Sequence, residues 1–257
     1  MSQARSIEVV SLYRYPVKGL SPQPLDAITL TPAETVPGDR IYAIENGHSR
    51  FDPDHPRYLP KVNFLMLMRN ERLAALATEF DHATDTLTIF RDGKQVARGA
   101  LNTWLGRQLI EQFFAGFCRA DLKGPPRVVS ATGHSFSDVA AKCLHVVNLA
   151  TVHDVEEVVN MALNPLRFRA NLYFDGAQPW AERKWIRKTL RIGGVRLRVF
   201  AATPRCDATN VNPDTAERDA TIPPTLQRTY DDPSLGFYAE VVEGGEIRPG
   251  DRIAVED

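Results

Sequence analysis

The segment TLRIGGVRLRVFAATPRCDATNVNPDT, residues 189–215, is the most informative part of the chain. Two apolar runs flank Gly193-Gly194, a pair typical of a two-residue β-hairpin turn. In the second arm, apolar residues alternate with arginines, so one face of the strand is apolar and the other is basic. Arg205-Cys206 and a series of turn residues follow, and functional side chains often lie on such loops beside rigid strands. The segment therefore predicts a β-hairpin that leads into a functional loop at Cys206.

Cys206 is the residue best suited to carry chemistry. A neighbouring guanidinium such as Arg205 favours the thiolate, which is the form that ligates metals and attacks electrophiles. On residue type alone, a buried and inert cysteine is the commoner case, and the sequence context of Cys118 and Cys143 fits that description. The three cysteines are widely spaced and form no Cys-x-x-Cys pair, which argues against a disulfide framework or a structural zinc site. This cysteine usage fits a reducing cytoplasm.

The rest of the chain predicts an α+β protein that is mainly β. Many short strands with few helices favour barrels over a parallel α/β sheet. Helices are predicted at Glu71–Glu79, at Thr103–Phe117 and from a cap at Thr151 to Asn164-Pro165. The Gly/Pro-rich stretch after the Thr103–Phe117 helix indicates a domain boundary near residue 120. The predicted strands are Ile7–Tyr13, Ala27–Thr31, Arg40–Glu45, Thr86–Arg91, Gln95–Leu101, Arg127–Ser130, Leu144–Leu149, Asn171–Phe174, Thr189–Ile192, Val195–Ala201, Gly236–Val242 and Ile253–Val255.

Charge is distributed unevenly along the chain, although the net charge is only −1. Residues 165–205 contain ten Lys/Arg and two Asp/Glu, whereas residues 206–257 contain four Lys/Arg and twelve Asp/Glu. One interpretation is an anionic ligand near Cys206, since clustered cations focus potential onto a cleft. The alternative is that the two regions face each other on neighbouring strands. The polar start at Met1–Glu8 and the lack of a long apolar run predict neither secretion nor a membrane span.

Three further segments contain side chains that suit a bound ligand. Arg167–Asn171 could grip a phosphate or a heterocycle, because guanidinium groups match oxyanions. Lys18, after a proline-stiffened strand end, could reach an anion as a point charge. Gly133–Asp138 resembles a hydrolase elbow but lacks its final glycine, so we reject a serine nucleophile and assign Ser137 and Asp138 to ligand hydrogen bonding. The sequence contains no histidine pair with metal spacing, no nucleotide-binding loop and no nucleic-acid-binding motif.

Taken together and in this order, these segments resemble MOSC proteins that carry a MOSC N-terminal β-barrel domain. The resemblance implies an N-terminal β-barrel-like domain at residues 1–120 and a MOSC β-barrel with peripheral helices at residues 121–257. The matching segments are Tyr15-Pro16-Val17-Lys18, Arg167–Asn171, the Gly193-Gly194 hairpin, Arg205-Cys206, Asn212–Thr215 and Ile247–Asp251.

The same resemblance implies a cofactor and an activity. In the amidoxime-reducing branch, a pyranopterin molybdenum cofactor (Mo-molybdopterin) lies between the two domains and a protein cysteine ligates the metal, a role that falls to Cys206. The branch implies reduction of a small N-hydroxylated substrate, with electrons from a separate ferredoxin-like or cytochrome b5-like protein and its reductase. Gly19, Ala170 and the segment Asn63–Arg69 depart from that branch and leave the substrate open. By resemblance, the cofactor is held by Lys18, Arg40, Arg169, Asn171 and Arg205, with Ser137 and Asp138 as further donors.

Two other functions are kept open. The resemblance extends to molybdenum cofactor sulfurases, so the protein could be a non-catalytic cofactor carrier or a sulfur-transfer protein with a persulfide on Cys206. An anion-binding module without a metal is the third hypothesis. Asp207 and Asp214 are close enough to Cys206 in sequence to be considered as proton donors.

Overall fold

The computed structural model describes residues 6–47 and 50–256, so part of the polar segment Met1–Glu8 lies outside the described residues. The fold is α+β and mainly β, as predicted. The strands are β1 (Glu8–Arg14), β2 (Gln23–Leu25), β3 (Ile28–Leu30), β4 (Ala43–Asn46), β5 (Ala77–Asp81), β6 (Thr86–Arg91), β7 (Lys94–Ala100), β8 (Pro126–Val129), β9 (Leu144–Asn148), β10 (Leu172–Asp175), β11 (Thr189–Ile192), β12 (Val195–Pro204), β13 (Ser234–Glu243), β14 (Gly245–Ile247) and β15 (Ile253–Glu256). The helices are α1 (Trp104–Phe117), α2 (Leu149–Val159) and α3 (Ile222–Tyr230), with 3₁₀ turns at Lys61–Asn63, Glu71–Ala75, Pro165–Phe168, Ala181–Trp185 and Asp207–Asn210.

The main sheet has eight strands in the order β15-β11-β12-β13-β9-β10-β1-β2. Its strand pairs are antiparallel except for β9 and β10, which run parallel and are connected through α2. The sheet curls so that the residue before β1 also bonds to the start of β15, where the amide of Ile253 donates to the carbonyl of Ile7 at 2.8 Å. The predicted hairpin at Gly193-Gly194 joins β11 to β12 and is confirmed.

Strand β12 has the two faces that the sequence predicts. Val195, Leu197 and Val199 are fully buried in the core of the main sheet. On the other face, Arg196 pairs with a carboxylate of β15 at 2.6 Å and Arg198 pairs with one of β13 at 2.5 Å. Carboxylates on neighbouring strands therefore neutralise these outward-facing arginines. This agrees with the second interpretation of the charge pattern.

The N-terminal part adds a smaller layer with a core of its own. Strands β5, β6 and β7 form an antiparallel meander, and α1 buries Ile110 and Phe114 against it. Strands β1 and β2 nevertheless belong to the main sheet, and β3 pairs with β14 while β4 pairs with β8. Strands from both sides of residue 120 are thus interleaved, and the division at that residue stays a prediction.

Two local predictions need correction, and one helix was not predicted. The helix predicted at Glu71–Glu79 is wrong, because only a 3₁₀ turn forms at Glu71–Ala75 before β5 pairs with β6; tertiary pairing overrides a weak helical propensity. Helix α2 is capped by Asn148, whose side chain accepts from the amide of Ala150, and not by Thr151. Helix α3 has no counterpart among the predicted elements. No helix in the described ranges is both long enough and apolar enough to cross a membrane.

Candidate functional site

A cleft of about 290 Å³ lies where residues from both halves of the chain meet. Its volume is near the lower end of the range of about 300–1,000 Å³ for small-molecule sites. Asp207 and Asp214, considered above as proton donors, are not among its lining residues. The cleft brings together all eight of the predicted site residues: Lys18, Arg40, Ser137, Asp138, Arg169, Asn171, Arg205 and Cys206.

Cys206 lies in the wall of this cleft, just after the end of strand β12. The residue follows the end of β12 in an extended conformation and precedes the 3₁₀ turn Asp207–Asn210, where the amide of Thr209 donates to the carbonyl of Cys206 at 3.0 Å. Cys206 is half-buried, whereas Cys118 and Cys143 are buried. Burial raises the pKa of the Cys143 thiol to about 12, so this second sulfur in the cleft wall stays protonated. Cys206 is therefore the cleft thiol that a ligand can reach.

Lys61, which sequence reasoning missed, is the cation that contacts this thiol. Its Nζ lies 3.1 Å from Sγ of Cys206. The predicted neighbour, Arg205, instead points its guanidinium at the Phe168 carbonyl and at His145. Burial works against the charge on Lys61, but Asp138 and Cys206 outweigh it and raise the pKa of the ammonium group. Lys61 stands far from Cys206 in sequence, and no local motif marks it.

Asp138 lies between two lysines. Lys18 is buried, and its Nζ donates to Oδ1 of Asp138 at 2.5 Å and to the Phe136 carbonyl at 2.8 Å. Burial lowers the pKa of Lys18, and Asp138 opposes that shift. Burial would raise the pKa of Asp138, but Lys18 and Lys61 hold it well below its usual range. The carboxylate is thus ionised, with Nζ of Lys61 at 3.6 Å from Oδ2.

Arg40 and Arg169 come from the two halves of the chain and flank one tyrosine. Their guanidinium carbons lie 4.8 and 4.3 Å from the centroid of the Tyr15 ring. Arg40 pairs with Asp39 and donates to the Arg169 carbonyl at 3.1 Å. Arg169 donates to the Leu20 carbonyl at 2.8 Å and has no carboxylate partner among the described residues. Its charge is therefore available to an anionic ligand.

Arg205 and Thr203, in the same wall of the cleft, each have one polar atom without a hydrogen-bond partner among the described residues. Arg205 donates to the Phe168 carbonyl at 2.8 Å and to Nε2 of His145 at 3.1 Å. Its Nε and the hydroxyl of Thr203 are buried and have no hydrogen-bond partner within residues 6–47 and 50–256. Buried polar atoms are nearly always paired in native proteins. These two atoms indicate that the cleft is built for a ligand with polar groups.

Asn171 and Arg167 line the cleft and also connect its wall to neighbouring elements. The Asn171 side chain accepts from the His145 amide at 3.1 Å and donates to the Tyr13 carbonyl at 3.2 Å, so its amide joins three strands. Arg167 is buried and pairs with Asp219 at 2.7 Å. It also donates to the Asn210 carbonyl at 3.4 Å, in the loop after Cys206. These contacts of Arg167 were not predicted from the sequence, although Arg167 belongs to the basic segment Arg167–Asn171 described above.

His145 gives the site a testable pH dependence. Burial, together with Arg205 and Arg40, lowers the pKa of this imidazole well below its ordinary value. Because the unfolded chain takes up the proton near pH 6.5 and the folded chain does not, stability falls as the pH falls. This one group accounts for about 1.4 kcal/mol of lost stability between pH 7.5 and 5.5. Urea unfolding of wild type and His145→Gln at both pH values should show a smaller loss in the variant; equal losses would contradict this prediction.

The arrangement suits an anionic ligand that carries its own metal donors. Six Lys/Arg side chains and one carboxylate line the cleft over the described part of the chain. Cys206 offers a single soft sulfur donor of the kind that thiophilic metals prefer. Within residues 6–47 and 50–256, no group of three or more His, Cys, Asp or Glu side chains could hold a metal ion.

Comparison with known proteins finds a family match for the C-terminal half of the chain. A family model for the MOSC domain matches residues 131–254. Mitochondrial amidoxime reducing component 2 from Rattus norvegicus is 27% identical over 122 residues, and the human protein is 29% identical over the same length. The matches cover 43% of this chain and 36% of each relative, so they span about a third of the length of these relatives. The YUAD protein from Bacillus subtilis aligns over 98% of this chain and 96% of its own, with 11% identity and a TM-score of 0.44.

Proposed function

Because residues 131–254 form a MOSC domain, we propose that this protein binds a pyranopterin molybdenum cofactor in the cleft and reduces N-hydroxylated compounds. The MOSC domain and the named relatives support a role connected with the molybdenum cofactor. The relatives' name, amidoxime reducing component, motivates the choice of N-hydroxylated substrates. The observation that carries the proposal is a reachable cysteine beside buried cations and unpaired polar atoms.

Each of the eight predicted site residues has a part in this proposal. Cys206 would ligate the metal as a permanent ligand. Arg205 would use its unpaired Nε, and Arg169 its unpaired charge, to hold the pterin and phosphate groups, since guanidinium groups bind such oxygens in fixed geometry. Lys18 and Arg40 would add charge, although each already has a carboxylate partner. Ser137, Asp138 and Asn171 complete the predicted set; Asn171 acts mainly by positioning, because its amide is engaged with the backbone.

Reduction needs two electrons and two protons for each N–O bond. When bound, the molybdenum centre supplies two-electron chemistry with transfer of the substrate oxygen. We propose that a separate ferredoxin-like or cytochrome b5-like protein returns the electrons. The protein's own residues would orient the substrate, keep the metal bound and supply a cationic environment, which stabilises negative charge at low dielectric.

The direct test is metal content followed by turnover. The protein is purified from a host that makes the cofactor, its molybdenum is measured, and benzamidoxime is added with reduced viologen as electron donor. We expect close to one molybdenum per chain and formation of benzamidine. Molybdenum without turnover would favour a carrier or sulfur-transfer protein with Cys206 as its functional thiol. Protein without molybdenum would contradict the proposal and favour a simple anion-binding module.

A further inference from the structure

The position of Lys61 defines a substrate class for the cleft. We infer that Lys61 binds a carboxylate of the substrate, so that this protein prefers N-hydroxylated amino acids and related acids over neutral N-hydroxylated compounds. This inference rests on the proposed function, because it concerns the substrate reduced at the same site. It is carried by three observations on Lys61: its contact with the sulfur, its exposure and its unused hydrogen-bonding capacity.

The first observation is location. Nζ of Lys61 is 3.1 Å from Sγ of Cys206, so its charge lies at the end of the cleft where Cys206 would hold the metal. Arg40 and Arg169, by contrast, lie over the ring of Tyr15. Lys61 is therefore the cleft cation that contacts the thiol assigned to the metal. A substrate carboxylate close to the reacting N–O group would therefore meet this ammonium.

The second observation is capacity. A lysine ammonium has three protons to donate. In the described residues, Lys61 donates one to the sulfur, and its other close polar contact is Oδ2 of Asp138 at 3.6 Å, beyond a good hydrogen bond. Asp138 is already bonded to Lys18 at 2.5 Å. At least one proton of Lys61 therefore has no protein acceptor among the described residues and faces the open cleft, where a substrate carboxylate would accept it.

The third observation is access. The side chain of Lys61 is 28% exposed, against 6% for Lys18. Lys18 is committed to holding Asp138 and the Phe136 carbonyl. Six Lys/Arg side chains line the cleft against Asp138 and Cys206, so the described lining keeps a net positive charge even with the thiol ionised. A partly exposed cation at the rim of a cleft attracts anions and disfavours cations of the same size.

The corresponding reaction balances with two electrons from the external donor and two protons from water. An N-hydroxy-amino acid, R–NHOH, takes two electrons and two protons and gives R–NH₂ and water, with the N–O bond broken and the carboxylate unchanged. The electrons come from the external one-electron donor of the proposed function. In this reaction Lys61 is a specificity-determining residue that touches the substrate and does not need to transfer a proton.

The test separates anion binding from reduction by using an unreactive analogue. 3-Hydroxypropionate has the size and charge of N-hydroxyglycine but no reducible N–O bond, and 3-hydroxypropionamide is its neutral counterpart. Calorimetry on the protein as purified, with molybdenum measured, should show about tenfold tighter binding of the anion, as expected for one charge-assisted hydrogen bond. Lys61→Met should remove the preference and Lys61→Arg should keep it.

Kinetics provide the second readout. With reduced viologen, kcat/KM for N-hydroxyglycine should exceed that for its amide, and Lys61→Met should cancel the difference through KM. Equal binding of the two analogues by wild type, or an unchanged preference in Lys61→Met, would overturn the inference. Loss of molybdenum from Lys61→Met would also overturn it, because the lysine would then hold the cofactor. Lys61-dependent anion binding without any turnover would support the site and contradict the reductase function.

Discussion

Replacing Cys206 by alanine is expected to abolish reduction of N-hydroxylated compounds and to lower the molybdenum content of the purified protein. The physical reason is that Cys206 is the reachable thiol in a cleft whose other sulfur, on Cys143, is buried and protonated. Changes around the ligands of a metal already cost about 10–100-fold in affinity or activity, so loss of a ligand itself should cost at least about 100-fold. Metal analysis and steady-state turnover measure both effects.

Cys118→Ala is the matched control for this experiment. Cys118 is buried at the end of α1, in the N-terminal core and away from the cleft. Its replacement should leave molybdenum content and turnover per molybdenum near the wild-type values. Full turnover by Cys206→Ala, or loss of metal from Cys143→Ala with Cys206 intact, would show that Cys206 is not the metal ligand.

Replacing Arg167 by methionine is expected to have the largest effect on stability. Arg167 is buried, and both of its terminal nitrogens pair with Asp219, at 2.7 and 2.8 Å. Removing one partner of a buried pair leaves the other charge uncompensated, which costs about 3–5 kcal/mol. Because Asp219 keeps some contact with solvent, we expect a loss of about 3 kcal/mol in the free energy of unfolding by urea. The loop after Cys206 would also lose its hydrogen bond from Arg167 to the Asn210 carbonyl, so metal retention should fall.

A double-mutant cycle distinguishes this pair from ordinary surface ion pairs. Arg167→Met together with Asp219→Asn should cost less than the sum of the single changes, because no charge is then left alone. Arg191→Met is the control, since Arg191 forms an exposed pair with Glu256 at 3.0 Å, and exposed pairs contribute little to stability. Strict additivity within the Arg167–Asp219 cycle would mean that the pair is not coupled.

Local sequence signals predicted the fold well where a turn or a strand alternation sets the structure. Gly193-Gly194 forms the predicted hairpin, because its turn conformation depends on the residues at the turn itself. Prediction failed where local signals conflict. Helix α3 begins at Ile222 and contains two prolines in its first turn, where the missing amide hydrogen costs nothing. In the sequence alone, two consecutive prolines indicate the end of a helix or strand.

The site was predictable to the extent that its residues lie in recognisable segments. All eight predicted residues line the cleft, although their roles remain proposals. Lys61 could not be found, because its contact with Cys206 joins two distant parts of the chain through tertiary packing. The pairing of Arg167 with Asp219 was hidden for the same reason. Charge counts located the basic region but could not separate the arginines that pair across strands from those that face the cleft.

X-ray absorption at molybdenum in the purified protein tests the central claim most directly, because it counts the sulfur atoms bound to the metal. We predict three sulfur ligands in the wild-type protein, two from the pterin dithiolene and one from Cys206. We predict two in whatever molybdenum Cys206→Ser retains. A wild-type centre with two sulfur ligands, or three ligands that persist in Cys206→Ser, would contradict the assignment of Cys206 as the protein's anchor for the metal.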